Sequence, residues 1–249
     1  MPKSVFREYW TESRAPRYSL LFALPLLLCY EALAAFLSAG RPGALRNGAD
    51  VLLQEAFMSV FGRYEPVAFA VAVIGPAIWL VARDMRAHRG PLQPWIFAGM
   101  LTEAALLAAA FGTVIGTITG DLLHLTRLQM LIPAAGPLAH SPVATRVMLS
   151  LGAGIYEELL FRVILVSALA FITRRVFGWR PVIADTAAAV VAATVFAAFH
   201  YIGPYGDPLR IDSFLFRLLG GLAFSVLYLV RGFGITAWTH ALYDLLVLA

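Results

Sequence analysis

Residues 142–173 read PVATRVMLSLGAGIYEELLFRVILVSALAFIT. The run is apolar at both ends, yet Glu157, Glu158 and Arg162 sit in its middle. A hydrocarbon core about 30 Å thick takes roughly 20 apolar residues in a helix. The stretch is therefore long enough for one tilted helix, or for a short helix followed by a span. An ionisable side chain at the centre of a span costs at least about 2.5–3.5 kcal/mol on insertion scales. Three in one place call for pairing, for chemistry, or for both.

Working outward, the rest of the chain has the same character. Of its 249 residues, 60% are hydrophobic and 14% charged, whereas a soluble domain is about half apolar and about a quarter charged. The mean hydropathy is +0.78. This composition excludes a cytosolic globular enzyme, a disordered tail and a nucleic-acid module. Eighteen Arg and one Lys stand against 15 acids, a formal net charge of +4. They are dispersed among apolar runs, so no nucleic-acid footprint forms. One cysteine, Cys29, allows neither an intrachain disulfide nor a Cys-based zinc or iron–sulfur site. The expected fold is all-α: a polytopic transmembrane helical bundle of about seven spans, with six to eight admitted.

The expected spans are Arg17–Gly40, Glu65–Val81, Pro94–Gly120, Pro142–Thr173, Pro181–Gly203, Ser213–Val230 and Gly234–Ala249. Ala49–Phe61 is too short to cross readily and carries Asp50 and Glu55, so it reads as an interfacial or re-entrant helix. No cleavable signal peptide is expected, because the first apolar run is a full span. Residues 1–141 read as an N-terminal membrane region with peripheral spans and 142–249 as a catalytic helical core, together one integral domain. With the N-terminus inside, eleven of the 19 basic residues fall on the cytoplasmic side. They are Lys3, Arg7, Arg14, Arg17, Arg83, Arg86, Arg89, Arg174, Arg175, Arg180 and Arg231. The expected location is a cytoplasmic (inner) membrane, and the Arg-rich, Ala-rich composition suits a high-GC prokaryote.

Further polar residues lie inside spans. His200 closes TVFAAFH, while His240 and Asp244 share TAWTHALYD. Residues four apart share a helix face, so Glu158 and Arg162 can pair, and Asp244 can orient the His240 ring. Glu157 is turned about 100° from Glu158 in an α-helix, which leaves His200 as its candidate partner. Two chemistries fit these parts. In one, Glu157 is a general base, His200 helps polarise a water and His240 stabilises an oxyanion. In the other, His200, His240 and a glutamate hold a catalytic Zn²⁺ with an open water position. Both amount to peptide hydrolysis, with a membrane-associated peptide or protein as substrate, the lipid bilayer as surroundings and no nucleic acid. The histidines lie on different helices, so the HExxH arrangement is absent. A proton- or ion-coupled transporter is the rival function, although no duplicated half with matching broken helices is visible. Taken singly, each group has a structural explanation: a buried ion pair, an interhelical donor, a capped histidine. Glu31 and Glu103 read as structural or interfacial. Gly220, Gly221 and Ser225 read as sites of close helix approach, and Trp10, Trp95, Trp179 and Tyr201 as interface anchors.

Three motifs occur in order: Glu157-Glu158-Leu-Leu-Phe-Arg162 (EExxxR), Phe196-Ala-Ala-Phe-His200 (FxxxH) and His240-Ala-Leu-Tyr-Asp244 (HxxxN/D). From about Val143 to Ala249, with Phe216-Arg-Leu-Leu-Gly220 between, the chain resembles the CAAX protease and bacteriocin-processing (CPBP, or Abi) family, which includes the type II CAAX prenyl proteases. The resemblance implies a glutamate-dependent intramembrane protease with no resident cofactor, a zinc version staying open. It implies that Glu157 and His200 activate the water, that Glu158 and Arg162 support the site, and that His240 and Asp244 form its oxyanion side. The prenyl proteases carry Asn where this chain has Asp244. An amide donates to an oxyanion and an ionised carboxylate does not; Asp244 therefore either orients His240 or carries a proton. The charge count places Glu157 and His200 toward the outer leaflet, whereas the resemblance implies cytosolic access.

Overall fold

The computed structural model describes residues 5–38, 45–123, 141–203 and 206–248. Among them the regular structure is entirely helical. A short helix α1 (Val5–Glu12) precedes α2 (Pro16–Ser38). Next come α3 (Gly48–Phe61) and, after a 3₁₀ turn at Gly62–Tyr64, α4 (65–87). The long α5 (Pro94–Leu123) ends the first half. The second half holds α6 (143–176), α7 (Pro181–Phe199), α8 (Ile211–Arg231) and α9 (Phe233–Leu248).

Among the described residues, five helical stretches are long and apolar enough to cross a membrane: Pro16–Ser38, Gly48–Ala87, Pro94–Leu123, Pro181–Phe199 and Ile211–Arg231. The other two expected crossings are also helical. Helix α6 is set apart by its internal charges, and α9 by its length of 16 residues. The segment read as an interfacial or re-entrant helix, Ala49–Phe61, is the separate helix α3, capped at Gly62, where φ is 53°. The chain bends sharply there: the Phe57 ring of α3 lies 5.4 Å from the Phe69 ring of α4.

Pairings at helix ends order the bundle. The Arg17 guanidinium meets Glu12 and, at 3.0 Å, Asp84. Arg231 grips Glu103 at 2.6 Å, donates to Ser13 at 2.9 Å and lies over the Trp10 ring. Arg174 pairs with Asp185. The start of α2, the ends of α4, α6 and α8, and the starts of α7 and α9 thus gather at one end of the bundle. Tyr9 of α1 donates to Glu103 at this end. Burial and the neighbouring Glu103 carboxylate raise its phenol above the ordinary range.

Helix α9 is the central post, packed on α2, α5 and α6. Tyr30, Ala34, Ala49, Met148, Ile155, Ala237 and Ala241 form the core around it. Small residues permit this approach: a Cβ on Gly154 of α6 would collide with the Ala237 carbonyl of α9. Gly232, at φ 82°, ends α8 and turns the chain directly into α9. Outward faces carry exposed apolar residues such as Val67, Val71, Ile78, Val182 and Val190, as a surface solvated by lipid requires. The molecule is an integral membrane protein.

Candidate active site

Helix α6 widens where it carries its charges. Ala153–Glu157 and Leu159–Val166 are π-helical, between α-helical Val143–Gly152 and Ser167–Val176. A π-turn closes i to i+5, so successive side chains diverge by less than the 100° of an α-helix. Glu158 touches the His240 imidazole there, and Glu157 approaches it without a hydrogen bond. His240 Nδ1 lies 2.6 Å from Glu158 Oε1, and His240 Nε2 lies 4.0 Å from Glu157 Oε2.

Glu158 and Arg162 pair as their spacing predicts, at 3.1 Å, and neither is exposed. Arg162 also donates to the Gly221 carbonyl at 3.3 Å. Its guanidinium lies 4.5 Å from the Phe196 ring centre and 5.5 Å from that of Phe224. Aromatic faces stabilise a desolvated cation. Phe224 in turn stacks on His240, with centroids 4.4 Å apart. The five side chains form one packed unit from α6, α7, α8 and α9.

His200 closes α7. Its Nδ1 lies 2.8 Å from the Phe196 carbonyl. A carbonyl only accepts, so Nδ1 carries the proton and Nε2 of the neutral ring is an acceptor. Glu157, His200, His240 and Asp244 line one cavity of about 190 Å³, together with Phe196, Phe224, Arg217 and Tyr243. Arg217 is engaged by Asp207 and by Ser213 at 2.9 Å. The structure thus brings together Glu157, Glu158, Arg162, His200, His240 and Asp244.

Two expected pairings differ. Asp244 was expected either to orient His240 or to carry a proton; its carboxylate is 3.8 Å from Nε2, beyond the hydrogen bond that the first requires. Glu158 takes Nδ1 instead, because the π-turn swings it onto the ring. Glu157, for which His200 was the expected partner, instead accepts a hydrogen bond from Asn47 Nδ2 at 2.9 Å. Asn47 precedes α3 and was missed. An Asn before an apolar helical run signals an N-cap, but nothing in that signal points to a glutamate 110 residues away. The zinc set of His200, His240 and a glutamate lines the cavity without closing on a common point. Among the described residues no group of three or more His, Cys, Asp or Glu is arranged to hold a metal ion.

Glu31 and Glu103 are ion-paired with Arg46 and Arg231. Gly221 sits tightly against Phe196 and Ala193 of α7, whereas Gly220 faces the cavity. Tyr201 is more than an interface anchor: its hydroxyl donates to Ser213.

Residues 139–246 match the family model described as Rce1-like, type II CAAX prenyl endopeptidase Rce1-like. Over these residues the chain is similar to that family. The match is consistent with the CPBP resemblance of the three motifs and spans all six site residues from Glu157 to Asp244. At family level it supports an intramembrane protease of the CAAX type, acting on a membrane-embedded protein in the bilayer. No curated protein and no solved structure matches the chain. Asn47 lies outside the Rce1-like region.

Proposed function

We propose that the protein is an intramembrane endopeptidase that hydrolyses a peptide bond with water activated by Glu157 and His200. The observation that carries this reading is the convergence of Glu157, His200 and His240, from three helices, on one cavity. Glu157 Oε1 is occupied by Asn47, so Oε2 is the oxygen free to take a proton. A water against Oε2, with a second hydrogen bond to His200 Nε2, loses its proton to Glu157 as its oxygen attacks the carbonyl carbon. The resulting oxyanion accepts a hydrogen bond from Nε2 of a doubly protonated His240, whose Nδ1–H donates to Glu158. Glu157 then passes the proton to the leaving amine, the C–N bond breaks, and the carboxylate is restored. Glu158 and Arg162 act as supports, and Asp244 lies on the oxyanion side. The substrate class is a membrane-associated peptide or protein. The core 142–249 carries the chemistry and 1–141 surrounds it, with the N-terminus cytoplasmic.

The test uses purified protein in lipid vesicles with two quenched peptides, one farnesylated with a CAAX terminus and one an unprenylated membrane peptide. Cleavage of at least one, with activity unchanged by chelator, is the expected result. Activity abolished by chelator and restored by zinc, with zinc bound stoichiometrically, would replace it with the zinc-dependent protease. Proton flux without cleavage would favour the transporter.

A further inference from the structure

The Rce1-like match begins at residue 139, yet the hydrogen bond on the Glu157 carboxylate comes from residue 47. Asn47 is 6% exposed and caps α3. Its Oδ1 accepts the Ala49 N–H at 2.9 Å, so its Nδ2 must be the atom that faces Glu157. The cap thereby sets the amide's orientation without help from the glutamate.

The cap is itself held. The Asn47 N–H donates to the Tyr30 hydroxyl at 3.1 Å, and that hydroxyl donates to Asp50 at 2.6 Å. Arg46 joins Asp50 to Glu31, and Tyr156, the residue before Glu157, donates to Glu31 at 2.6 Å. The chain of contacts leaves α6 at Tyr156 and returns to it at Glu157. Gly152, one turn earlier on α6, allows the approach: a Cβ there would lie 2.8 Å from Asn47 Cβ and would strike the Tyr30 ring.

We propose that Asn47 is a positioning residue for the reaction: it fixes the Glu157 carboxylate by occupying Oε1, so that Oε2, on the His240 side, is the working oxygen. The site is then assembled from both halves of the chain. This rests on the reading of Glu157 as the base. Its physical basis is directional. A carboxylate anchored through one oxygen cannot rotate its other oxygen away from the attacking water, and small misplacements of a base lower the rate steeply.

Capping and donation can be separated. Ser and Asp both serve as N-caps, but neither offers the amide N–H to Glu157. Asn47→Ser should keep a melting temperature near wild type. Its kcat on the cleaved quenched peptide should fall about tenfold to a hundredfold, the range for losing a hydrogen bond to a charged group, at nearly constant KM. Asn47→Ala should lose kcat and melting temperature together. A substrate-free arm reads the contact directly. Asn47→Asp should lower the melting temperature in the wild-type background, because two carboxylates then face each other. It should have little effect in the Glu157→Gln background, where an amide can donate back. A well-folded Asn47→Ser protein with wild-type kcat, or no coupling between positions 47 and 157 in the melting cycle, overturns the proposal. Wild-type cleavage by Glu157→Gln would show instead that the reading of the base had failed, and the positioning role would fall with it; the melting cycle would still report the contact.

Discussion

The two ends of the bundle solve the problem of charge in the membrane in opposite ways. At the end where Arg231 meets Glu103, Ser13, Tyr9 and Trp10, cation and carboxylate close on one another and each oxygen of Glu103 takes a donor. Around Glu157 the closure is incomplete: Asn47 occupies one oxygen, and the other faces a cavity shared with His200, His240 and Asp244. The first arrangement satisfies its groups and fixes helices. Among the described residues, the second leaves a carboxylate oxygen and the outer nitrogens of two histidines without a hydrogen-bond partner, which is the condition for handling a proton. Buried charge marks both places, and only the unsaturated one has the makings of chemistry.

Substitutions at the two ends should therefore separate activity from stability. Beyond the base Glu157 itself, the largest effect is expected at His240. Preorganised donors in water-poor sites contribute roughly a hundredfold to a thousandfold in rate, so His240→Ala should lower kcat by that factor and change KM little. A variant with wild-type kcat would return His240 to a structural role. Arg162→Leu comes next and should lose activity and stability together. Breaking a buried ion pair costs about 3–5 kcal/mol in soluble proteins, and here it also leaves Glu158 alone on His240. Thermal melting and peptide cleavage measured side by side would check it.

At the closed end, Glu103→Gln should lower the melting temperature while cleavage by the folded protein stays within about twofold. A large fall in kcat there would erase the contrast between the two ends. Tyr9→Phe is the smallest case, about 1 kcal/mol for one hydrogen bond. The Tyr9 phenol is held above its ordinary value by burial and Glu103. Its stabilisation is thus intact below the unfolded phenol value of about 10 and is lost as pH rises beyond it. The difference in melting temperature between Tyr9→Phe and wild type should accordingly shrink in strongly alkaline buffer.

The spans and the six polar residues of the second half were legible because charge in an apolar run is costly and stands out. Asn47 was not: a polar residue before a helix has an ordinary explanation, and its partner is set only by the packing of α3 on α6. The Glu158–Arg162 pair followed from spacing, while the Glu158–His240 contact did not. Spacing arguments assume an α-helix, and the π-turns at Ala153–Glu157 and Leu159–Val166 change which faces coincide. The short helix α1 escaped notice because eight residues with exposed Val5 and Phe6 give too little pattern to separate from a leading tail.

The central claim is that the Glu157 carboxylate takes the proton from the attacking water. Its most direct test is kcat for Glu157→Gln beside wild type, in the same vesicles and on the same peptide, with melting curves to establish folding. The amide is nearly isosteric but is no base, and general-base catalysis is worth typically a hundredfold to ten-thousandfold. A folded Glu157→Gln protein slowed by at least about a hundredfold is the predicted result. A folded Glu157→Gln protein that cleaves at the wild-type rate would contradict it.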